Sequence, residues 1–505
     1  MKASYYMGID IGSYESKGVI IDSECNIVAT HVEKHVMDNP APNQFEHDAE
    51  KVWWHDFCAI SNALLEKTGI PNTSICGIGG SALGADCLPV DENCTPLRPA
   101  MLYGIDARAD REIAWLEEHY GSRAKELFPS PLCSSDIMPK ILWLKNNEPD
   151  IYRRAHKFIT GSTYLTAKLT GRYYIDKLLA LSSFRPAYRA DGTIDEAECA
   201  LFCRPDQLAE CVPTAYVVGC VTPEAARQTG LAEGTPVITG TDDAAAEAVS
   251  TGVVANGDLM LMFGSSCFMY YCVDRLVRDE RIWSSEYVVP GTYSISAGTN
   301  TAGTLTRWFR DNIFWEVMAE QERTGVNAYD LMLEGIDDIP AGSEGLITLP
   351  YLAGERTPIN DPAARGMIFG LTLNHTRRHL YRSALEGVGY SINQHFEIFA
   401  ENHVELKNVY AVGGGTKNRP WMQIIADITG KTIQTGAVTI GASYGDAMMA
   451  ALATGRFQSF DELRTHLKPG VTFVPNMANH ESYRQYQQIY NALYPATREL
   501  MHRLR

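Results

Sequence analysis

An apolar run over Tyr5-Tyr6-Met7-Gly8-Ile9-Asp10-Ile11 stops at Gly12-Ser13 and resumes over Lys17-Gly18-Val19-Ile20-Ile21-Asp22. Strand, glycine-serine break, strand is the pattern of a β-hairpin. The same plan returns at 258–274, where Asp258-Leu259-Met260-Leu261-Met262-Phe263 meets Gly264-Ser265-Ser266 and continues through Cys267 to Val273. Each hairpin opens half of the chain, which predicts two related domains facing one another, 1–250 and 251–505, with the stretch after Asp243 at the hinge. Helical periodicity marks 104–120, 139–148, 298–312, 379–397, 420–430 and 441–455. A further apolar strand, Asn408-Val409-Tyr410-Ala411-Val412, runs into Gly413-Gly414-Gly415.

The strand Pro236-Val237-Ile238-Thr239 hands over through Gly240-Thr241-Asp242-Asp243 to an alanine-rich helix that carries Glu247. A turn of this kind sits at the carboxyl edge of a sheet, where α/β proteins keep ligands and catalysts. Asp243 is therefore a candidate general base. The competing reading is that Asp242 or Asp243 only caps the helix. Glycine turns after strands bring backbone N–H groups close to phosphate oxygens without Cβ obstruction. Gly12-Ser13 and Gly264-Ser265 qualify, and Asp10 points at the same place, which fits nucleotide phosphates clasped between two domains with magnesium held through water by Asp10. Lys17 has two readings, a phosphate contact or a solvated cation at the hairpin tip. Gly413-Gly414-Gly415 lacks the spacing of a dinucleotide fingerprint and instead suits the approach of a flat adenine, with Asn418 at its edge.

With 505 residues the chain exceeds the size of one hydrophobic core. Its 44 Lys and Arg against 61 Asp and Glu give a net charge of −17, which excludes nucleic acid or an anionic membrane as the main partner. The 12 cysteines show no zinc-ligand spacing and read as reduced thiols of a cytoplasmic protein. Asp10 comes too early for a signal peptide, and no long uncharged apolar run follows.

Gly366-Met367-Ile368-Phe369-Gly370-Leu371, followed after seven residues by His379-Leu380-Tyr381-Arg382-Ser383-Ala384-Leu385-Glu386, resembles a signature of the FGGY carbohydrate kinases. A second signature is met loosely by Lys140-Ile141-Leu142-Trp143-Leu144-Lys145-Asn146, since Ile137 stands where the pattern has Pro, Ser or Thr. Gly354-Glu355-Arg356-Thr357-Pro358 is also similar to a family segment. The resemblance covers nearly the whole chain and is nearest to the xylulokinase branch. It implies an α/β fold of two ribonuclease H-like domains, as in the actin and hexokinase superfamily, with a cleft that takes ATP, Mg2+ and a sugar or polyol. It implies Asp243 as the base, Asp10 as the metal and phosphate aspartate, and Gly12, Ser13, Lys17, Gly264 and Ser265 in the phosphate hairpins. Gly303 and Gly414 become nucleotide-facing backbone, with Asn418 beside the adenine. In the sugar pocket the chain departs from the branch: Leu83-Gly84-Ala85 replaces Gln-Met-His, and Ala244 replaces an Asn. Tyr103, Asp106 and Arg108 resemble the family's substrate-side residues, or else form an Asp-Arg pair at a helix start. His47 and Asp48 read as a helix cap. The expected reaction is phosphorylation of a ketopentose of xylulose type. Gluconate, fuculose, glycerol or a signalling ketone are the alternative acceptors, a non-catalytic sensor is the rival class, and a homodimer is left open.

Overall fold

The computed structural model describes residues 4–128 and 130–504. Both predicted hairpins form. The first sheet contains β1 (Tyr5–Ile11), β2 (Glu15–Asp22), β3 (Ile27–Lys34), β4 (Ile75–Ala82), β5 (Val217–Cys220), β6 (Pro236–Ile238) and β7 (Thr241–Asp242). The second contains β8 (Asp258–Phe263), β9 (Cys267–Val273), β10 (Trp283–Glu286), β11 (Tyr293–Thr299), β12 (Asn408–Val412), β13 (Ile433–Gly436) and β14 (Pro469–Phe473). The orders β5-β6-β4-β1-β2-β3 and β14-β13-β12-β8-β9-β11 coincide step for step, with β7 beside β4 and β10 beyond β11. The strand senses coincide as well. β4 runs parallel to β1 as β12 does to β8, and each hairpin and the strand after it pair antiparallel. The predicted kinship of the two halves is thus present in topology.

The helices that matter here are α1 (His55–Thr68), α2 (Asp110–Tyr120), α3 (Ile137–Asn147), α4 (Asp243–Thr251), α5 (Gly303–Asn312), α6 (Arg377–Glu401), α7 (Arg419–Thr429) and α8 (Ala442–Ala453). Two depart from the sequence-based expectation. The segment 104–120 becomes helical only at Asp110, because Gly104 takes φ +69° and a buried Asp106–Arg108 pair fills the turn before it. The segment 298–312 begins as the end of β11 and turns helical at Gly303, where the chain meets the tip of the second hairpin.

Packing does not follow the division at 250. α8, from the second half, lies on β1 and β4 of the first sheet and against α4. Backbone meets backbone there: a Cβ on Gly8 would strike the Ser443 carbonyl oxygen, and one on Gly445 would strike that of Ala246. Gly79 of β4 is similarly close to Asp446, whose carbonyl oxygen would lie 2.7 Å from an added Cβ. These glycines bring a helix to a distance from strand and helix that no side chain permits. The Tyr444 hydroxyl closes the contact by donating to the Cys25 carbonyl at 2.7 Å. All twelve cysteines are free. No helix of the described residues is long and apolar enough to cross a membrane.

Gly8→Ala is expected to cost about 3 kcal/mol of stability or more, since overpacking against backbone cannot relax by rotamer change. Gly414→Ala, whose added methyl would have nothing within 4 Å, is the control and is expected to leave the unfolding temperature within a degree or so of the parent. Thermal unfolding of the two variants followed by circular dichroism checks both.

Candidate active site

The two aspartates of the turn divide the roles between them. Asp242 takes extended backbone angles as the N-cap of α4 and accepts the Ala245 N–H at 2.6 Å. Asp243 is the first helical residue, and its carboxylate accepts only the Ala244 N–H at 2.8 Å. The cap belongs to Asp242, and Asp243 is left free for chemistry. Gly84 presses on the cap, since a Cβ there would collide with that of Asp242.

Asp10 stands at the end of β1, directly across from Ser81 on β4. The Ser81 hydroxyl lies 2.9 Å from Asp10 Oδ1 and 2.7 Å from Asp446 Oδ2 on α8. A hydroxyl has one hydrogen, so it can donate to only one of these oxygens; the other contact requires a proton on a carboxyl. Titration agrees. Burial, Asp243 and Glu247 push Asp10 up to about 8, and burial together with Asp10 and Asp243 pushes Asp446 well above the usual carboxylate range. Glu247, one helical turn beyond Asp243, is raised to about 7 by burial and then by Asp243, with Lys17 opposing. Asp243 itself rises to about 6 through burial. Four carboxyls thus share one pocket of low dielectric with Lys17 as a nearby cation, and Lys17 also pairs with Glu15 at 2.9 Å.

Both hairpin tips lie in the turns expected to hold phosphate. At the first, Gly12 N–H donates to Glu15 O at 3.2 Å, and at the second Gly264 N–H donates to Ser266 O at 2.9 Å. Gly303 opens α5 against the second tip, with its N–H on the Gly264 carbonyl at 3.1 Å and those of Ala302 and Thr304 on the Ser265 carbonyl at 3.0 Å. Gly414 has open space where a Cβ would be. The Asn418 side-chain oxygen caps α7 through the Trp421 N–H at 3.0 Å, which leaves its amide nitrogen for a ligand.

The sugar-side candidates fall into two groups. Leu83 is partly exposed, whereas Ala85 is buried in the core at 0%. Tyr103 is 40% exposed, and its N–H donates to Asp86 at 2.8 Å. Asp86 is itself buried and raised to about 8, chiefly by burial and with Asp243 adding to it. Asp106 is different: it is fully buried and accepts from the Phe45 N–H at 2.8 Å and from Arg108 Nε at 2.9 Å. Arg108 is completed by Glu46 at 2.8 Å and lies over the Trp143 ring. Of the two readings of these residues, the internal Asp-Arg pair is the one the geometry supports. Asp48 does cap a helical turn, through Lys51 N–H, while His47 is buried beneath the first hairpin. Ser81, Glu247, Asp446 and His35 were not among the expected site residues, and His47, expected as part of a helix cap, instead lies against the Ser13 carbonyl. Gly79-Gly80-Ser81 at the end of an apolar strand and Gly445-Asp446 in an alanine-rich helix were the available signals.

The signature segments serve packing. Glu386 is wholly buried and takes the Ser343 hydroxyl at 2.7 Å, Tyr483 at 2.9 Å and Arg382 at 3.0 Å. Glu355 accepts the Asn300 N–H at 2.8 Å and so fixes the loop that leads into α5.

Models of the FGGY family of carbohydrate kinases match the chain, the N-terminal domain over residues 5–250 and the C-terminal domain over 259–454. The chain belongs to the FGGY carbohydrate kinase family. It is 29% identical over 499 residues to a xylulose kinase of Staphylococcus epidermidis, covering 98% of this chain and 97% of that one. It is 26% identical to a gluconokinase of Bacillus subtilis, covering 96% and 95%. Its fold superposes on the crystal structure of xylulose kinase from Rhodospirillum rubrum with a TM-score of 0.89 at 27% identity, over 99% of this chain and all of the other. The expected family and the two-domain α/β kinase fold are therefore both found.

A carboxyl raised to about 6, as Asp243 is, can take up a proton only when it is deprotonated. The kinase is expected to lose kcat/KM as pH falls below about 6, and Asp243→Asn to lose about two to four orders of magnitude in turnover at pH 7.5 while still binding nucleotide. A pH-rate profile of the parent, with turnover and nucleotide titration of the variant, tests this. Asp242→Ala is expected to cost about 1 kcal/mol of stability through the lost cap.

Proposed function

We propose that this kinase transfers the γ-phosphoryl group of ATP to a hydroxyl of a ketopentose of xylulose type, with Asp243 as the general base. The observation that carries this reading is the freedom of Asp243: its neighbour supplies the helix cap, so its carboxylate is held at the helix mouth beside Asp10 with one hydrogen bond. As the sugar oxygen approaches the γ-phosphorus in line, Asp243 takes its proton and the phosphoryl group passes between the two oxygens. The Gly12-Ser13 and Gly264-Ser265 tips face the phosphates with backbone N–H groups, and Lys17 adds a positive charge nearby. Gly303 positions the second tip, and Gly414 with the Asn418 amide leaves room for adenine. Residues 1–250 and 251–505 act as the two lobes, with α8 of the second half packed on the sheet of the first.

The donor set around Asp10 fits a divalent cation, because crowded carboxyls that raise one another are relieved by positive charge. No three His, Cys, Asp or Glu side chains among the described residues converge on one point. Asp10 would hold Mg2+ there, mostly through water and phosphate. When bound, the ion would neutralise charge on the transferring phosphates.

Xylulose is favoured by the xylulose kinases among the relatives, at 28% identity in Escherichia coli. The gluconokinases keep an aldonate as the second reading. ATP consumption across D-xylulose, L-fuculose, D-gluconate and glycerol is expected to give the highest kcat/KM with D-xylulose; a higher value with gluconate would overturn the choice. Because Leu83 and Gly84 offer no side-chain hydrogen bond, singly deoxygenated xylulose analogues are expected to lose only about 10- to 100-fold at the hydroxyl nearest them.

A further inference from the structure

The first hairpin tip is held from below by two histidines that no part of the reaction above uses. His35 follows β3 and its side chain is 6% exposed. Its Nδ1 lies 2.8 Å from Asp56 Oδ2 on α1, and its Nε2 lies 3.0 Å from the Gly12 carbonyl oxygen. Its backbone N–H donates to the Tyr14 carbonyl at 3.0 Å. His47 Nε2 lies 3.2 Å from the Ser13 carbonyl oxygen, and its Nδ1 accepts the Trp53 indole N–H at 3.1 Å. The carbonyls of Gly12, Ser13 and Tyr14 are all drawn inward.

A peptide unit is planar and trans, so an N–H points away from the carbonyl of the residue before it. Anchoring the Gly12 and Ser13 carbonyls therefore turns the N–H groups of Ser13 and Tyr14 outward. Among the described residues neither N–H has a partner. The second tip reaches the same state by other means. There α5 supplies the donors to the Gly264 and Ser265 carbonyls, and the N–H groups of Ser265 and Ser266 are likewise without partners among the described residues. One hairpin is anchored by a helix N-terminus, the other by imidazoles.

Nε2 of His35 faces a carbonyl oxygen, which has no hydrogen, so that ring nitrogen carries one. His47 faces a carbonyl on one side and an indole donor on the other, which requires the neutral ring with its hydrogen on Nε2. Burial and the neighbouring His35 lower His47 to about 4, in accord with that assignment. Burial alone would raise Asp56, but the hydrogen bonds from His35, Ser16 and His55 outweigh it and hold the carboxyl below the usual range. The rings of the two histidines meet edge to face at 5.0 Å. His55 touches the other oxygen of Asp56 at 3.3 Å, and Glu15 with its partner Lys17 lies on the adjoining strand.

We infer that His35, bridging Asp56 to the Gly12 carbonyl, and His47, as a donor to the Ser13 carbonyl, are positioning residues that aim the first hairpin's N–H groups at the nucleotide phosphates. This rests on the reading of that hairpin as a phosphate site.

The test uses the full-length protein, titrated calorimetrically with Mg-ATP in parallel with KM for the sugar. His35→Ala and His47→Ala are expected to weaken Mg-ATP by about 10- to 100-fold while moving the sugar KM less than about threefold. Gly12→Ala, which brings a methyl to 2.8 Å from Glu15 O and so distorts the tip directly, is the reference. If Gly12→Ala weakens Mg-ATP but the histidine variants do not, the clamp is merely structural and the inference fails. If none of the three does, the hairpin is not the phosphate site and the underlying reading fails with it. Should the histidine variants not fold, nitrogen-15 spectra of histidine-labelled parent protein decide: both rings are expected to carry a hydrogen on Nε2, the nitrogen that faces a hairpin carbonyl. An Nε2 without a hydrogen on either ring overturns the proposal.

Discussion

The site depends on one helix being allowed closer than helices ordinarily come. α8 meets β1 at Gly8 and α4 at Gly445 at backbone distance, and the four carboxyls of the cleft stand on these three elements. Asp446 rides in on α8 and meets Ser81 on β4. Ser81 in turn meets Asp10 on β1. α4 leans on α8 from the other side and carries Asp243. Widening the contact at Gly8 by one methyl would move Asp446 relative to Asp10, and widening that at Gly445 would move it relative to Asp243 and Glu247. Packing, not any single hydrogen bond, sets the distances on which proton transfer and cation binding rely.

Low dielectric and like charge then do the chemical tuning. Asp10, Asp243, Glu247 and Asp446 are all raised, and burial is the first cause in each case. Asp243 is the least raised of those with a defined value, at about 6 against about 7 and about 8. It is also the one at a helix start with an N–H to its carboxylate. The backbone N–H groups at the start of α4 oppose that rise, and of the three groups Asp243 is the one whose carboxylate form is least disfavoured.

Much of this was legible in the sequence because it is local. A glycine-serine break between apolar strands is a hairpin whatever surrounds it, and both hairpins fell at the expected residues. The turn Gly240-Thr241-Asp242-Asp243 could be recognised as a helix mouth, but which aspartate caps depends on one residue of register, which only backbone angles settle. The start of α2 was misplaced because Asp106, Ala107 and Arg108 fit helical periodicity equally well; a buried ion pair with Glu46, remote in sequence, holds them in a turn. Ser81 and Asp446 lie 365 positions apart, and His35 meets Gly12 across 23. No periodicity or spacing carries such pairs. They arise from strand order and from the return of α8.

That return also bears on how the protein comes into being. The first sheet is complete in the chain by Asp242, yet the helix that covers β1 and β4 is synthesised only after residue 441. A bond such as Tyr444 to Cys25 spans 419 residues. During translation the early sheet must therefore wait with an apolar face and a row of glycines bare, a state prone to non-native association. Contacts of such separation also make the closing step slow, since chain entropy must be lost before they form. The feature that gives the finished enzyme its tight cleft makes the last fifth of the chain a requirement for the first fifth to mature.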